Sequence, residues 1–317
     1  MIAKRRVLVT GAGGFIGRSS LEALRAAGYE VHAVLSHESA APAGARVHRA
    51  DLLDLQAIEG LIGAVRPTHL LHFAWIATPG LYSGSAENYR WLAASQHLLR
   101  SFRAAGGARA VMAGSCAEYD WSRAQVCNER TSPLASDSKD AVSAYAECKM
   151  ALQRDLADFG RAQGLSTAWG RIFFQYGPHE HPQRLVASVI VNLLLGRDAL
   201  CTHGRQIRSF LHVADVGSAF TALLNSEIGG PVNIGSGERI ALAELLEAAA
   251  RQIGRPHLLK LGARSAPPGD PAVLLPDIGR LRDEVGFKPR WTLDAGLADA
   301  IDWWRGRLIE GGAAPPP

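Results

Sequence analysis

Cysteine is scarce in this 317-residue chain, and the four present, Cys116, Cys127, Cys148 and Cys201, show no C-x-x-C spacing. That argues against a disulfide-stapled scaffold and a cysteine zinc site, and makes free thiols in a reducing compartment the expectation. Charge of one sign is also lacking. The 34 basic and 30 acidic residues leave a net charge of +4, too little for a nucleic-acid or membrane surface, though compatible with a small anionic ligand. No apolar run reaches the length of a membrane span, and residues 1–6 lead straight into an apolar segment. Neither a membrane helix nor a signal peptide is therefore expected, and the cytoplasm is the default location. No internal repeat is found, and the terminal "GGAAPPP" (311–317) reads as a disordered tail. What remains, 47% apolar and 20% charged, is an ordinary globular composition, long enough for one large domain plus a smaller lobe.

The first informative stretch is "VLVTGAGGFIG", Val7 to Gly17. Three apolar residues without polar alternation suit a strand buried on both faces of a parallel sheet. The glycines mark a tight turn, and Ile16, Leu21 and Leu24 give the following helix an apolar face. Its free N–H groups and positive end invite an anion. The spacing G-x-G-x-x-G is not met. What fits is G-x-x-G-x-x-G at Gly11, Gly14 and Gly17, a pattern that purely structural turns also produce.

Strand signals follow over 31–35, 47–50, 69–73 and 110–114, with helical patterns over 55–63 and 88–105 between them. This alternation predicts βαβ units and an α/β, Rossmann-type doubly wound parallel sheet. A helix over 143–160 feeds the strand "STAWGRIFF". After "YGP" the rhythm breaks into helical pieces over 185–195, 213–224, 241–253 and 293–306. We therefore expect a dinucleotide-binding domain over 1–178 that includes the catalytic residues. A smaller, mainly helical C-terminal substrate lobe would occupy 179–310, with interleaving of the two left open.

In "SAYAECKM", Tyr145 and Lys149 are four apart on a helix and share one face. An ammonium beside a phenol lowers its pKa and makes a workable acid/base, although such pairs also arise by chance on solvated helices. In "VMAGSCAEY" a strand ends at Gly114 and Ser115, where a hydroxyl reaches a ligand crevice or merely caps a turn.

Taken in order, "TGAGGFIG", Asp51–Leu52, "HFA" at 72–74, Asn88, "GSCAEY", "YAECK", "RIFFQYGP", "RSFLHVADV" and "NIGSG" resemble the extended short-chain dehydrogenase/reductase family, the nucleotide-sugar epimerases, dehydratases and ketoreductases. The resemblance runs from about Val7 to Trp304. It implies a pyrophosphate turn of Gly11, Gly14 and Gly17 with the N–H groups of Phe15 and Ile16, an adenine contact at Asp51 and Leu52, and a cofactor-lining Ala74. It further implies Tyr145 as acid/base, Lys149 on the nicotinamide ribose, Ser115 as the substrate-orienting hydroxyl, Arg208 on the substrate diphosphate, and a homodimer through the helices 88–105 and 143–160. Nucleic acid and membrane are not expected as partners.

Departures from the family pattern sharpen the expectation. Leu35 stands where an NAD-selective site offers an acid, and Ser36, His37, Ser39 and Arg18 are candidate donors to a 2′-phosphate. Cys116 and Ala117 replace the Asp-Glu pair of the 4,6-dehydratases. Phe174 and Ser209 replace a usual asparagine and aspartate, and Trp75 is bulkier than usual and either narrows the cleft or simply packs. His179, His181 and Arg184 lie in the loop after "YGP". Without a third ligand at a recognisable spacing, the H-x-H pair predicts no metal site, while His179 and Arg184 are counted on the substrate side.

The expected function is an NADP(H)-dependent reduction of a 4-keto group on a nucleotide-activated (6-deoxy)sugar, with NAD(H) also possible. The alternatives are an NAD-dependent 4-epimerase and, from another class, a catalytically silent NAD(P)-sensing module. Retention of Ser115, Tyr145 and Lys149 together argues against the last.

Overall fold

The computed structural model describes residues 5–36, 44–138 and 142–311. Val7, Leu8 and Val9 are fully buried in strand β1 (Arg6–Thr10), at the heart of a sheet. Its other strands are β2 (Glu30–Leu35), β3 (Arg46–Arg49), β4 (His69–His72), β5 (Arg109–Ser115), β6 (Ser166–Ile172) and β7 (Gly230–Ile234). The spatial order is β7-β6-β5-β4-β1-β2-β3, with every pairing parallel. Successive strands are added outward in opposite directions on the two sides of β1, and the crevice at the carboxyl ends of β1 and β4 is the place such a sheet offers a ligand.

Side chains alternate across β1 as a strand requires. Val7 and Val9 face α1 (Phe15–Ala26) and α6 (Val213–Asn225), packing with Leu21, Leu24, Phe220 and Leu223. Leu8 faces the opposite layer of α2 (Leu55–Val65), α3 (Glu87–Ala104) and α4 (Ala144–Gln163), with Ile58, Leu98, Phe102, Leu152 and Leu156. Helix α4 begins at Ser143, whose hydroxyl accepts from the Ala146 N–H, and ends at Gly164 in the left-handed region at φ 60°. That start puts Tyr145 in the first turn, at the sheet's carboxyl edge.

A third core is built from α5 (Leu185–Leu194), α7 (Leu242–Ile253) and α8 (Leu293–Glu310), where Ile190, Leu193, Leu246, Leu297 and Ile301 meet. The chain does not stay in this lobe. Helix α6 and strand β7, within the second expected segment, lie on the main sheet. Gly217 makes this possible, since a Cβ there would stand 2.3 Å from the Ser19 carbonyl oxygen. The expected strand 166–174 also divides. Its last residue belongs to a short strand, Phe174–Tyr176, paired in parallel with Phe210–His212. Gly311 is an exposed turn after α8, and residues 312–317 lie outside the described residues. Among the described residues no helix is long and apolar enough to cross a membrane.

Candidate active site

Two of the three turn glycines answer to the chain's own backbone. Gly11, at φ +66°, would drive a Cβ to 2.7 Å from the Ala74 nitrogen, and a Cβ on Gly17 would meet the Gly11 carbonyl oxygen at 2.2 Å. Gly14 is different: it is the N-cap of α1, with no side chain capping the helix and no acid in the first turn. The N–H groups of Phe15 and Ile16 therefore head an uncapped helix, a fit for the pyrophosphate of a dinucleotide.

At the end of β2, Leu35 is buried, Ser36 is exposed, and Arg49 sits opposite Leu35 in the β2–β3 register. The Arg49 guanidinium donates to the Ser36 carbonyl at 3.2 Å. This cation was not among the residues anticipated from the sequence. His37 and Ser39 lie outside the described residues. Arg18 is directed elsewhere, to the His179 ring at 2.7 Å and the Gly13 carbonyl at 3.1 Å. Asp51 is exposed and accepts from the Leu53 N–H at 2.9 Å, while Leu52 is buried in the core. The ends of β1 and β4 are locked together by His72, which meets Thr10 Oγ1 at 2.6 Å and Ser95 Oγ at 2.9 Å. Thr10 Oγ1 also accepts from the Ala74 N–H.

Ser115, Tyr145 and Lys149 come together at the end of β5. The Ser115 hydroxyl bears on Tyr145 and favours its ionised form. Lys149, only 4% exposed, donates to the Ala113 carbonyl at 2.9 Å and lies 3.8 Å from the centroid of the Trp75 ring, but 5.8 Å from that of Tyr145. The expected lowering of the tyrosine pKa is corrected here. Burial pushes the Tyr145 phenol above its ordinary value, with the Ser115 hydroxyl pulling the other way, because the ammonium is turned toward a carbonyl and an indole face. Lys149 itself is lowered to about 7 by burial, against the attraction of Glu118. Tyr82 covers Tyr145 edge-on at 4.9 Å.

Directly after Ser115, Cys116 is buried and its thiol is pushed up to about 12, chiefly by burial. Phe174 packs against Phe210, with the Arg208 guanidinium 5.4 Å from the Phe174 ring. Arg208 is already engaged, donating to Asp270 at 2.6 Å. His179 stands apart. At φ 69° it packs on Trp303 and lines a pocket of about 440 Å³ with Arg18, Arg25, His212, Trp291 and Asp299; none of Ser115, Tyr145 and Lys149 lines it. Burial and then Arg18 lower His179 to about 4, so it is neutral near pH 7 and a poor proton donor. Arg184 is the N-cap residue of α5.

A glycine turn feeding an uncapped helix, a cleft at the reversal of strand order, and a Ser–Tyr–Lys constellation at the end of β5 have a match among known proteins. The model of the NAD dependent epimerase/dehydratase family matches residues 7–235. The chain belongs to this family. It is 33% identical to a 3-diazoavenalumate denitrifying reductase from a Streptomyces species, over 83% of this chain and 86% of that protein. It is 30% identical to dTDP-4-dehydro-6-deoxy-D-allose reductase from Streptomyces bikiniensis, over 96% and 97%. The structure of UDP-glucose 4-epimerase from Thermus thermophilus in complex with NAD superposes with a TM-score of 0.79 at 27% identity, covering 95% of this chain and 99% of that one. The family read from the motif order is thus the family found.

Proposed function

We propose that the chain reduces a 4-keto group of a nucleotide-activated 6-deoxysugar with NADPH, releasing NADP⁺. The observation that carries this reading is the convergence of Ser115 and Tyr145 at the carboxyl end of β5, where desolvation raises the phenol above its ordinary value and so favours its protonated, proton-donating form. Gly14 and the N–H groups of Phe15 and Ile16 would hold the pyrophosphate, and Lys149 the ribose beside the nicotinamide. Arg49, with Ser36, would take a 2′-phosphate at the end of β2, where Leu35 stands in place of an acid. When bound, the reduced nicotinamide supplies the hydride. Ser115 orients the carbonyl oxygen and Tyr145 delivers the proton to it, so the ketone gains one hydride and one proton and becomes an alcohol. The relative named as a dTDP-4-dehydro-6-deoxy-D-allose reductase supports the substrate class. Arg208 would contact the diphosphate while sharing its charge with Asp270.

A second reading, 4-epimerisation with a retained NAD, is favoured by the fold match to a UDP-glucose 4-epimerase. A homodimer through α3 and α4, which pack on each other and present the half-exposed Tyr89, and a cytoplasmic location belong to the same proposal. The test is to denature the purified protein, identify any released dinucleotide, and follow NADPH absorbance with nucleotide 4-keto-6-deoxysugars. Stoichiometric NADPH consumption is expected. Bound NAD⁺ with interconversion of two sugar epimers and no net cofactor change would give the reaction to the epimerase.

A further inference from the structure

Directly behind Ser115, in the turn Cys116–Glu118 that closes β5, Glu118 is completely buried. Its carboxylate accepts from the Ser115 N–H at 2.8 Å, from the Trp169 indole N–H at 2.9 and 3.1 Å, and from Nε of Arg171 at 2.7 Å. Gly114 leaves the room for this: a Cβ there would lie 2.5 Å from the carboxylate and 2.1 Å from Trp169 Nε1. Arg171 donates onward to the Tyr119 hydroxyl at 3.0 Å, which donates to Asn233 Oδ1 at 2.8 Å. An apolar pair of similar shape is often at least as stable as a buried ion pair. Stability alone is therefore a poor reason for a carboxylate here, and its position suggests another.

We propose that Glu118 is a positioning residue of the reductive site, holding Ser115 in register with Tyr145 and supplying the fixed negative charge that faces Lys149. The turn is a capping box. The Glu118 carboxylate binds the Ser115 N–H, while the Ser115 hydroxyl accepts from the Ala117 N–H at 3.2 Å and so has its own proton left to donate. Around Lys149 and Tyr145 the ionisable neighbours are Glu118 and Cys116 from this turn, His72 from β4, Cys148 from α4, and Tyr82 from the loop before α3. Arg171 stands behind Glu118. Trp169 stands between the two charges, its indole N–H on the Glu118 carboxylate and its ring centroid 5.9 Å from Lys149 Nζ, and the carboxylate favours the protonated form of both Lys149 and Tyr145. That is the state in which the site donates a proton to an oxygen, so the inference rests on the reading of the reaction as a reduction.

Three variants test it. Glu118→Gln removes the charge and keeps the shape. Lys149 should then titrate lower by roughly one pH unit, read by NMR of ¹³Cε-lysine, with Lys4, Lys139, Lys260 and Lys288 as the other lysines. The basic limb of reductive kcat/KM should move acidward with it. Trp169→Phe removes one donor and keeps the charge, so the Lys149 midpoint stays in place. Glu118→Asp keeps the charge but withdraws it from the Ser115 N–H, so kcat should fall roughly tenfold or more with dinucleotide affinity and the pH limb retained. An unmoved Lys149 midpoint in Glu118→Gln overturns the charge role, and wild-type kcat in Glu118→Asp overturns the positioning role. If Glu118→Gln fails to fold, the pairing of Glu118→Asp with Trp169→Phe decides: a shifted limb in either overturns the proposal. The lysine titration needs no substrate. Absence of reductase activity in the wild type would therefore sink the proposed function while leaving the charge role open to its own test.

Discussion

Lys149 Nζ lies 3.8 Å from the centroid of the Trp75 ring, and the Trp75 indole N–H donates to Asn88 Oδ1 at 2.7 Å. The amide of Asn88 is itself spent on the carbonyls of Tyr82 and Ser85. The indole is therefore a fixed wall of the site, tied to the loop that carries Tyr82 over Tyr145. The sequence left open whether Trp75 narrows the cleft or simply packs; the structure adds a contact that neither reading named, a ring face for the Lys149 ammonium.

Trp75→Phe keeps a ring face for Lys149 and deletes the donor to Asn88, a residue with no exposure. Leaving a buried acceptor unpaired costs about 1–3 kcal/mol. Denaturant unfolding should report a loss of that size with dinucleotide affinity little changed. An unaltered unfolding midpoint would show that Asn88 finds another donor.

Tyr145→Phe removes the phenolic proton and keeps the ring that Tyr82 packs against. Turnover should drop by about a hundredfold or more while the dinucleotide still binds. Near-normal turnover would mean that the proton comes from another group, for which His179, lowered to about 4 by burial and lining a pocket that Tyr145 does not line, is poorly suited.

Arg49→Ala should weaken NADPH binding by roughly tenfold, about 1.4 kcal/mol, and leave NADH binding nearly unchanged. Calorimetric titration with both dinucleotides checks this. An equal loss for the two would assign Arg49 to the fold of the β2–β3 edge.

Acid stability follows from the histidines. Burial is the main cause that lowers His72 to about 3 and His69, His179 and His212 to about 4. Their folded pKa values lie below the ordinary 6.5, so between these limits the unfolded chain binds protons that the folded one refuses. Stability is thus present above about pH 6.5 and is lost as pH falls toward 4 and below. Thermal melts should show Tm falling over that window, and His72→Gln should flatten the fall. A Tm constant from pH 6.5 to 4 would contradict the burial of these rings.

Much of the fold was legible because its signals are local. Buried strands read as apolar runs, α4 is bracketed by Ser143 and Gly164, and glycine spacing marks the turn before α1. The course of Val213–Ile234 back to the main sheet was not settled, since α6 is apolar enough to suit either lobe and only the Gly217–Ser19 approach decides. At the site, Ser115, Tyr145 and Lys149 were found by spacing and resemblance. The direction of the Tyr145 shift was not, because spacing along a helix says nothing of burial or of the carbonyl that draws the ammonium away. Arg49 escaped notice because its place is set by register with Leu35. Glu118 had a faint signal: Arg171 is a charge inside the apolar strand "TAWGRIF", and such a residue asks for a buried counter-ion.

The return of α6 and β7 to the sheet governs how the molecule comes apart. The polypeptide leaves the main sheet after Ile172, returns to pack on it with α6 from Val213, adds its last strand through Ile234, and departs again. A fragment ending at Pro178 would bare the edge of β6 and strip the cover from Val7, Val9 and Leu24. It would behave as a sticky partial sheet, so a cut at Pro178 severs one folding unit rather than parting two.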